Sequence, residues 1–226
     1  MARQVQQYFP QRVSEYVPNM AFHSDVRNDG QYATNLGIPA ALNATGILSA
    51  QSVSAGGSAS SFAAAYNAAL EATMSRFGRN VTVVLSGAGT GNVIISGRDY
   101  LNQAMSETIA LNGNTPVLGV KAFKYVDLVT WPTVGAVTMN VGWGNALGLP
   151  FRTMRLDTEL VAGAVPGNAG SIVAGALSSV TQTATTADPR GTYIPHSSFL
   201  PNASRTYELI CIGDINNLHG NAHFGS

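Results

Sequence analysis

Charge is what this sequence has least of. Asp, Glu, Lys and Arg make up 11% of its 226 residues, against roughly 25% in ordinary soluble domains. The twelve basic and twelve acidic side chains cancel. A formal balance of zero argues against electrostatic capture of nucleic acid or of an anionic membrane surface. It also leaves little repulsion between copies, so the chain is expected to work inside an assembly, as an oligomer. Cysteine is nearly absent. Cys211 stands alone, so no intramolecular disulfide can form, and neither secretion nor a redox compartment can be read from it. It lies in the apolar run "YELICIG" without a cationic neighbour and reads as a small buried hydrophobe. No run approaches the roughly 20 apolar residues of a membrane span, and "MARQVQQYFPQR" lacks the apolar centre of a signal peptide. A cytosol-like environment is the expectation.

Chemistry is also scarce. His23 and His196 are isolated among loop signals, and His219 and His223 are four apart but separated by Gly220 and Asn221, which argue against the helix a metal pair needs. No G-x-S-x-G elbow accompanies a histidine and an acid. Asp157 and Glu159 alternate onto one strand face, yet two acids without an aromatic cluster do not make a glycosidase site. The run "GAGTGN" is neither GxxxxGK[ST] nor followed by a helical pattern, so a turn is expected there and not a phosphate loop. Asp188 and Arg190 belong to "DPRG", where Pro second and Gly fourth specify a type I turn capped by the Asp. Catalytic residues, metal ligands and cofactors are therefore not assigned, and the chain is not expected to be an enzyme.

What the sequence does have is glycine, 24 residues of it, and apolar alternation. Between Val81 and Leu149 short period-two runs follow one another: "VTVVLSG" and "NVIISG" flanking "GAGTGN" as a hairpin, then "AMSETIALNGN" ending at an Asn112-Gly113 turn, "TPVLGV", "AFKYVDLVTW", "GAVTMNVGWG" and "LGLPFR". "MRLDTELVAGAVPG", "GSIVAGALSSVTQTATTA" and "SRTYELICIGDIN" add further strands, the last placed inside a sheet by "LICI". Trp143, between two glycines, is read as packing over a sheet, with an exposed sugar-binding aromatic as the alternative. Residues 60–78 change period. Phe62, Tyr66, Thr73 and Phe77 recur at helical spacing, Ser60 or Ser61 can cap the start, and Gly78 can end it. Residues 1–59 have no sustained period but too many hydrophobes to leave in water. They are expected to form an extended arm that either wraps its own domain or, the preferred reading, reaches a neighbouring subunit. Tyr8, Phe9, Tyr16, Val17, Phe22 and Tyr32 are its candidate anchors, because aromatics contribute disproportionately at interfaces.

The fold expected is mainly β: an arm over 1–59, a helical connector over 60–78, and an antiparallel β-sandwich, jelly-roll-like, over 79–226. Removing residues 2–59 should then leave that domain folded. The segments "SETIALNGNTPVLGVKAFKYV", "VGWGNALGLPF" and "ADPRGTY", in this order, resemble a recurring pattern in virion proteins of tailed bacteriophages. The resemblance covers roughly residues 79 to 216 and not the arm. It implies a noncatalytic decoration or cement protein on the capsid surface, bound to the major capsid protein and bridging capsomers. Such proteins imply a homotrimer, made in the host cytoplasm and touching neither nucleic acid nor membrane. A tail, adaptor or fibre-base protein is the alternative within the same particle, and a carbohydrate-binding sandwich module the alternative from another class.

Overall fold

The computed structural model describes residues 29–64, 66, 73–176 and 188–214. The protein is mainly β and antiparallel throughout, with sheets stacked as in a sandwich. The strands are β1 (Asp29–Gly37), β2 (Asn43–Ser52), β3 (Gly57–Ala59), β4 (Arg79–Leu85), β5 (Asn92–Arg98), β6 (Ala104–Ala110) and β7 (Val117–Leu118). They continue with β8 (Tyr125–Trp131), β9 (Thr138–Gly148), β10 (Thr153–Val161), β11 (Ser171–Ala174), β12 (Gly191–Ile194) and β13 (Tyr207–Asp214). Three sheets result. One has the order β1-β13-β10, the second β11-β12-β9-β4-β7 with β2 also on β9, and the third β3-β8-β5-β6.

Alternation builds two cores from these sheets. In β4, Val81, Val83 and Leu85 turn inward, and in β9 so do Met139, Val141 and Trp143. They meet Val93, Ile95, Met105, Ile109 and Val129 of the third sheet. The far end of β9 turns to the other core, where Leu147 and the following Leu149 pack with Tyr193 of β12 and with Leu209 and Cys211 of β13. The eleven-residue β9 thus belongs to both cores. β13 lies between β1 and β10, the interior place that "LICI" implies. Cys211 is fully buried, and burial raises its thiol pKa to about 12, so it stays a neutral hydrophobe.

Two expectations need correction. The "GAGTGN" run does not turn a hairpin: β4 joins the second sheet and β5 the third, so this segment crosses between layers. It is stitched instead to the Asn112-Gly113 turn, through Leu111 N–H to Gly91 O at 2.8 Å and Gly113 N–H to Gly89 O at 3.0 Å. Alternation locates strands but does not choose their partners.

The second correction concerns the arm. From residue 29 onward it is part of this chain's own sheets: β1 pairs with β13, β2 with β9 and β3 with β8. Leu36 fills one core, and Ile47, Leu48 and Val53 fill the other. This segment also covers both tryptophans. Trp143 donates from Nε1 to Ala41 O at 2.8 Å and Trp131 to Ala55 O at 3.2 Å. Both rings are nearly inaccessible, and Trp143 packs as expected. Of the expected helix over 60–78, positions 64, 66 and 73 are helical, and 65 and 67–72 lie outside the described residues. Positions 60–63 and 74–78 are not helical, and Ser75 at φ 57° follows helical position 73, so Gly78, at φ +102°, does not end the helix as expected.

The cover is close enough to be tested. A Cβ on Gly46 would stand 2.2 Å from the Trp143 ring. Gly46→Ala should cost about 3 kcal/mol, the upper end of overpacking. Thermal unfolding would then fall by roughly 6–12 °C, with a shift in tryptophan emission. An unchanged melting curve would mean that the ring moves aside freely.

Candidate interaction surface

Charged side chains are scarce in this chain, and many of those it has are inside. Arg79, Asp99, Glu107, Lys121, Lys124, Glu159, Asp188 and Arg190 are all buried, at least eight of the twenty-four. Four are cationic and four anionic, so the interior set is balanced like the whole chain. Each cation has internal acceptors. Arg79 donates through Nε to Gly144 O and through Nη1 to Ala40 O (2.7 Å) and Thr73 O (3.1 Å), so it clasps the β1–β2 connection, the end of the 60–78 segment and β9. Arg190 pairs with Asp99 and stacks over the Tyr100 ring at 4.9 Å. Lys121 donates to Ser106 O at 3.1 Å and Lys124 to Ser75 O.

The acids hold backbone. Asp188 accepts from Arg190 N–H at 2.9 Å, the capped turn that "DPRG" specifies, with Gly191 N–H closing it on Asp188 O at 3.1 Å. Its other oxygen accepts from Ala122 N–H at 3.1 Å. Glu107 accepts from Val120 N–H at 2.6 Å in the same 119–124 connection. Nothing in the sequence singled out Asp99, Glu107 or Lys121. The available signal was that these charges fall within or beside apolar runs, as in "GVKAFKY", where a solvated side chain would not be expected.

Glu107 gives a pH dependence with a definite sign. Burial raises its pKa from 4.5 to about 7, against the lowering effect of the Val120 and Lys121 N–H groups. The fold therefore holds a proton here that the unfolded chain releases between those values. The associated stability is complete below pH 4.5 and is lost as pH rises through 7, on the order of 3 kcal/mol. Chemical denaturation from pH 5 to 8 should show this decline, and Glu107→Gln, which cannot ionise, should show a flatter profile. Parallel profiles for the two proteins would contradict the assignment.

With those charges inside, the exterior keeps a sparse set of charges, among them Asp127, Arg155, Asp157 and Glu208, amid polar-neutral and apolar side chains. Ile38, Leu42, Leu118 and Val120 are exposed, and Val165 is 70% exposed. The outward face of the β1-β13-β10 sheet is one regular example. Along β13 the side chains alternate, Leu209 and Cys211 inward and Ile210 and Ile212 half-buried outward. Opposite Ile210 stand Ala33 of β1 and Thr158 of β10, and Leu160 follows. A shallow groove of about 420 Å³ runs over this face, with Glu208 at its edge bonded to Asn35.

The predicted anchors divide by location. Tyr8, Phe9, Tyr16, Val17 and Phe22 lie outside the described residues. Tyr32 does not reach outward as a free anchor. It is half-buried in its own fold, edge-on to Phe151 at 5.1 Å and hydrogen-bonded to Thr153. Burial raises its pKa further than any other influence on it. Strand pairing of β1 with β13 fixes the backbone beside it, and that long-range pairing is invisible to a local reading.

The acids weighed for hydrolysis do not face each other as a pair. A register shift between Leu156 and Thr158 breaks the alternation. Asp157 is exposed and accepts from Gln31 at 3.1 Å, whereas Glu159 is buried and accepts from Gly170 N–H at 2.8 Å. His196 accepts from Ser198 N–H and caps a short 3-10 turn, and the other three histidines lie outside the described residues. Among the described residues no three His, Cys, Asp or Glu side chains converge as metal ligands would, and no helix is long and apolar enough to cross a membrane. No protein-family model, curated protein or solved structure matches the chain.

Proposed function

We propose that this protein is a noncatalytic structural component of a tailed-bacteriophage virion, a decoration protein that lies on the major capsid protein shell and bridges capsomers. The observation that carries this reading is the fate of the charges. A chain that begins with few and buries at least eight of them presents a surface with weak self-repulsion and scattered apolar side chains. Such a surface suits burial against partners. Shell binding by an oligomer would join many modest contacts, so that losing one does not release the rest. A homotrimer is the form we propose, with the major capsid protein as partner. The rival sugar-binding reading loses its motivating feature, since Trp143 and Trp131 are covered.

The decisive measurement is copy number per particle, by quantitative mass spectrometry against the major capsid protein on purified heads without tails. We expect hundreds of copies, near one per shell subunit. A handful or none would move the protein to the tail, adaptor or portal vertex and end the decoration reading. Removing residues 2–28, which leaves every described strand in place, asks separately whether the segment carrying Tyr8, Phe9, Tyr16, Val17 and Phe22 contributes to shell binding.

A further inference from the structure

The groove on the outward face of the β1-β13-β10 sheet continues past the edge of that sheet. Its first part, of about 420 Å³, is lined by Ala33, Ile210 and Leu160, with Glu208 at the rim. A second part, of about 330 Å³, lies at the edge of β10, where Leu156 meets Val165 and Pro166 of the β10–β11 connection. Thr158 lines both parts, so they form one trough running from β1 over β13 and β10 to that connection. Its apolar side chains are reachable: Ala33 and Val165 are exposed, and Ile210, Leu160 and Leu156 are half-buried. Covering such side chains is favourable by roughly 25 cal/mol per Å².

The length of chain that precedes β1 says what can cover the trough. Residues 1–28 join this sheet at Asp29, the end of β1 that pairs with Asp214. Ala33 stands four residues further along β1, about 13 Å away at the rise of a strand. Between Phe22 and Asp29 lie the six residues "HSDVRN", mostly polar, which can span about 20 Å when extended. That is enough to reverse direction and bring Phe22 over Ala33. The run before them, "YVPNMAF" over 16–22, carries no charge and is mostly apolar, as an occupant of this trough has to be. It too can span about 20 Å, against about 10 Å for the two inter-strand steps from β1 to β10, so it reaches the second part of the trough. Pro18 cannot donate a hydrogen bond and holds Val17 to an extended backbone, which suits lying across a sheet and not joining its ladder. We propose that residues 16–22 of the same chain dock in the trough, with Phe22 over Ala33 and Ile210 and the Tyr16 end toward Val165. Tethering selects the chain's own segment. A short connection gives an effective concentration of millimolar order, which a second copy would have to match in solution. A partner that uses this face must first displace the strap. The inference does not rest on the virion reading, since it concerns one chain alone.

The test uses the full-length protein carrying Phe22→p-benzoylphenylalanine, irradiated and then resolved by denaturing electrophoresis and mass spectrometry. The cross-linked product should run as a single chain, with position 22 joined to peptides that carry Ala33, Thr158 or Ile210. A product of two chains would give the trough to a second copy and overturn the assignment to the chain's own segment. Links only to other peptides, or none, would overturn the docking altogether. Ala33→Trp provides a second route, because it fills the first part of the trough from an exposed position. It should raise the rate of chymotrypsin cleavage after Phe22 about tenfold or more, since a docked ring cannot enter the protease and tenfold corresponds to about 1.4 kcal/mol of docking. Equal cleavage rates in the native and Ala33→Trp proteins would also overturn the proposal. The cross-linking leaves every described residue unchanged, so it decides the question even where Ala33→Trp disturbs β1.

Discussion

Removal of residues 2–59 leaves a chain that cannot fold, the reverse of what an independent arm implies. The deletion takes away β1, β2 and β3 together, and with them one neighbour of β13, of β9 and of β8. Leu36, Ile47, Leu48 and Val53 are buried side chains in the two cores. At about 1.5–3 kcal/mol each they represent roughly 6–12 kcal/mol of apolar burial, comparable with the whole net stability of a typical domain, about 5–15 kcal/mol. Both tryptophans would be uncovered, and Arg79, fully buried, would lose the Ala40 carbonyl its Nη1 bonds to. Circular dichroism and size exclusion should show no cooperative melting transition and an aggregated product. A truncated protein that melts cooperatively near the intact temperature would show that these three strands are dispensable.

Asp99→Asn should be the most damaging conservative substitution. Asp99 Oδ1 accepts from Leu101 N–H at 2.9 Å and Gln103 N–H at 2.8 Å, and an asparagine oxygen can keep those turn contacts. What it cannot keep is the charge opposite Arg190, whose side chain is 2% exposed. Breaking a buried ion pair by removing the charge of one member costs about 3–5 kcal/mol. At roughly 2–4 °C per kcal/mol for a chain of this size, the melting temperature should fall by about 6–20 °C. A double-mutant cycle separates this from general damage. Arg190→Met should cost much less in the Asp99→Asn background than in the native protein, because the pairing between the two has already been lost. If Asp99→Asn melts within a degree or two of the native protein, the pair makes no net contribution.

Several readings needed only local information, and the residues explain why. "YELICIG" alternates and is rich in β-branched and apolar side chains, and it is a strand; "DPRG" carries its own turn instructions in Pro189 and Gly191, and it turns. Trp143 between two glycines implied packing because small neighbours permit close approach, although the glycine beneath its ring is Gly46, from another strand. The candidate surface was much less legible. Tyr32 looked like an exposed aromatic in an aperiodic segment, but its partners Phe151 and Thr153 lie more than a hundred residues away. Glu159 looked equivalent to Asp157 until the register shift at Leu156 placed one inside and the other outside.

By itself, then, the sequence determined the β class, the positions of most strands after residue 79, the inert character of Cys211 and the low charge of the whole. These follow from side-chain periodicity, turn chemistry and composition, all of which act over a few residues. Tertiary structure alone decided which strands pair, that residues 29–59 complete the chain's own cores, and that charges such as Glu107, Lys121 and Arg190 belong to its interior. Those outcomes depend on contacts between distant segments, where hydrogen-bond ladders and shared burial, not local pattern, select among partners that look alike in sequence.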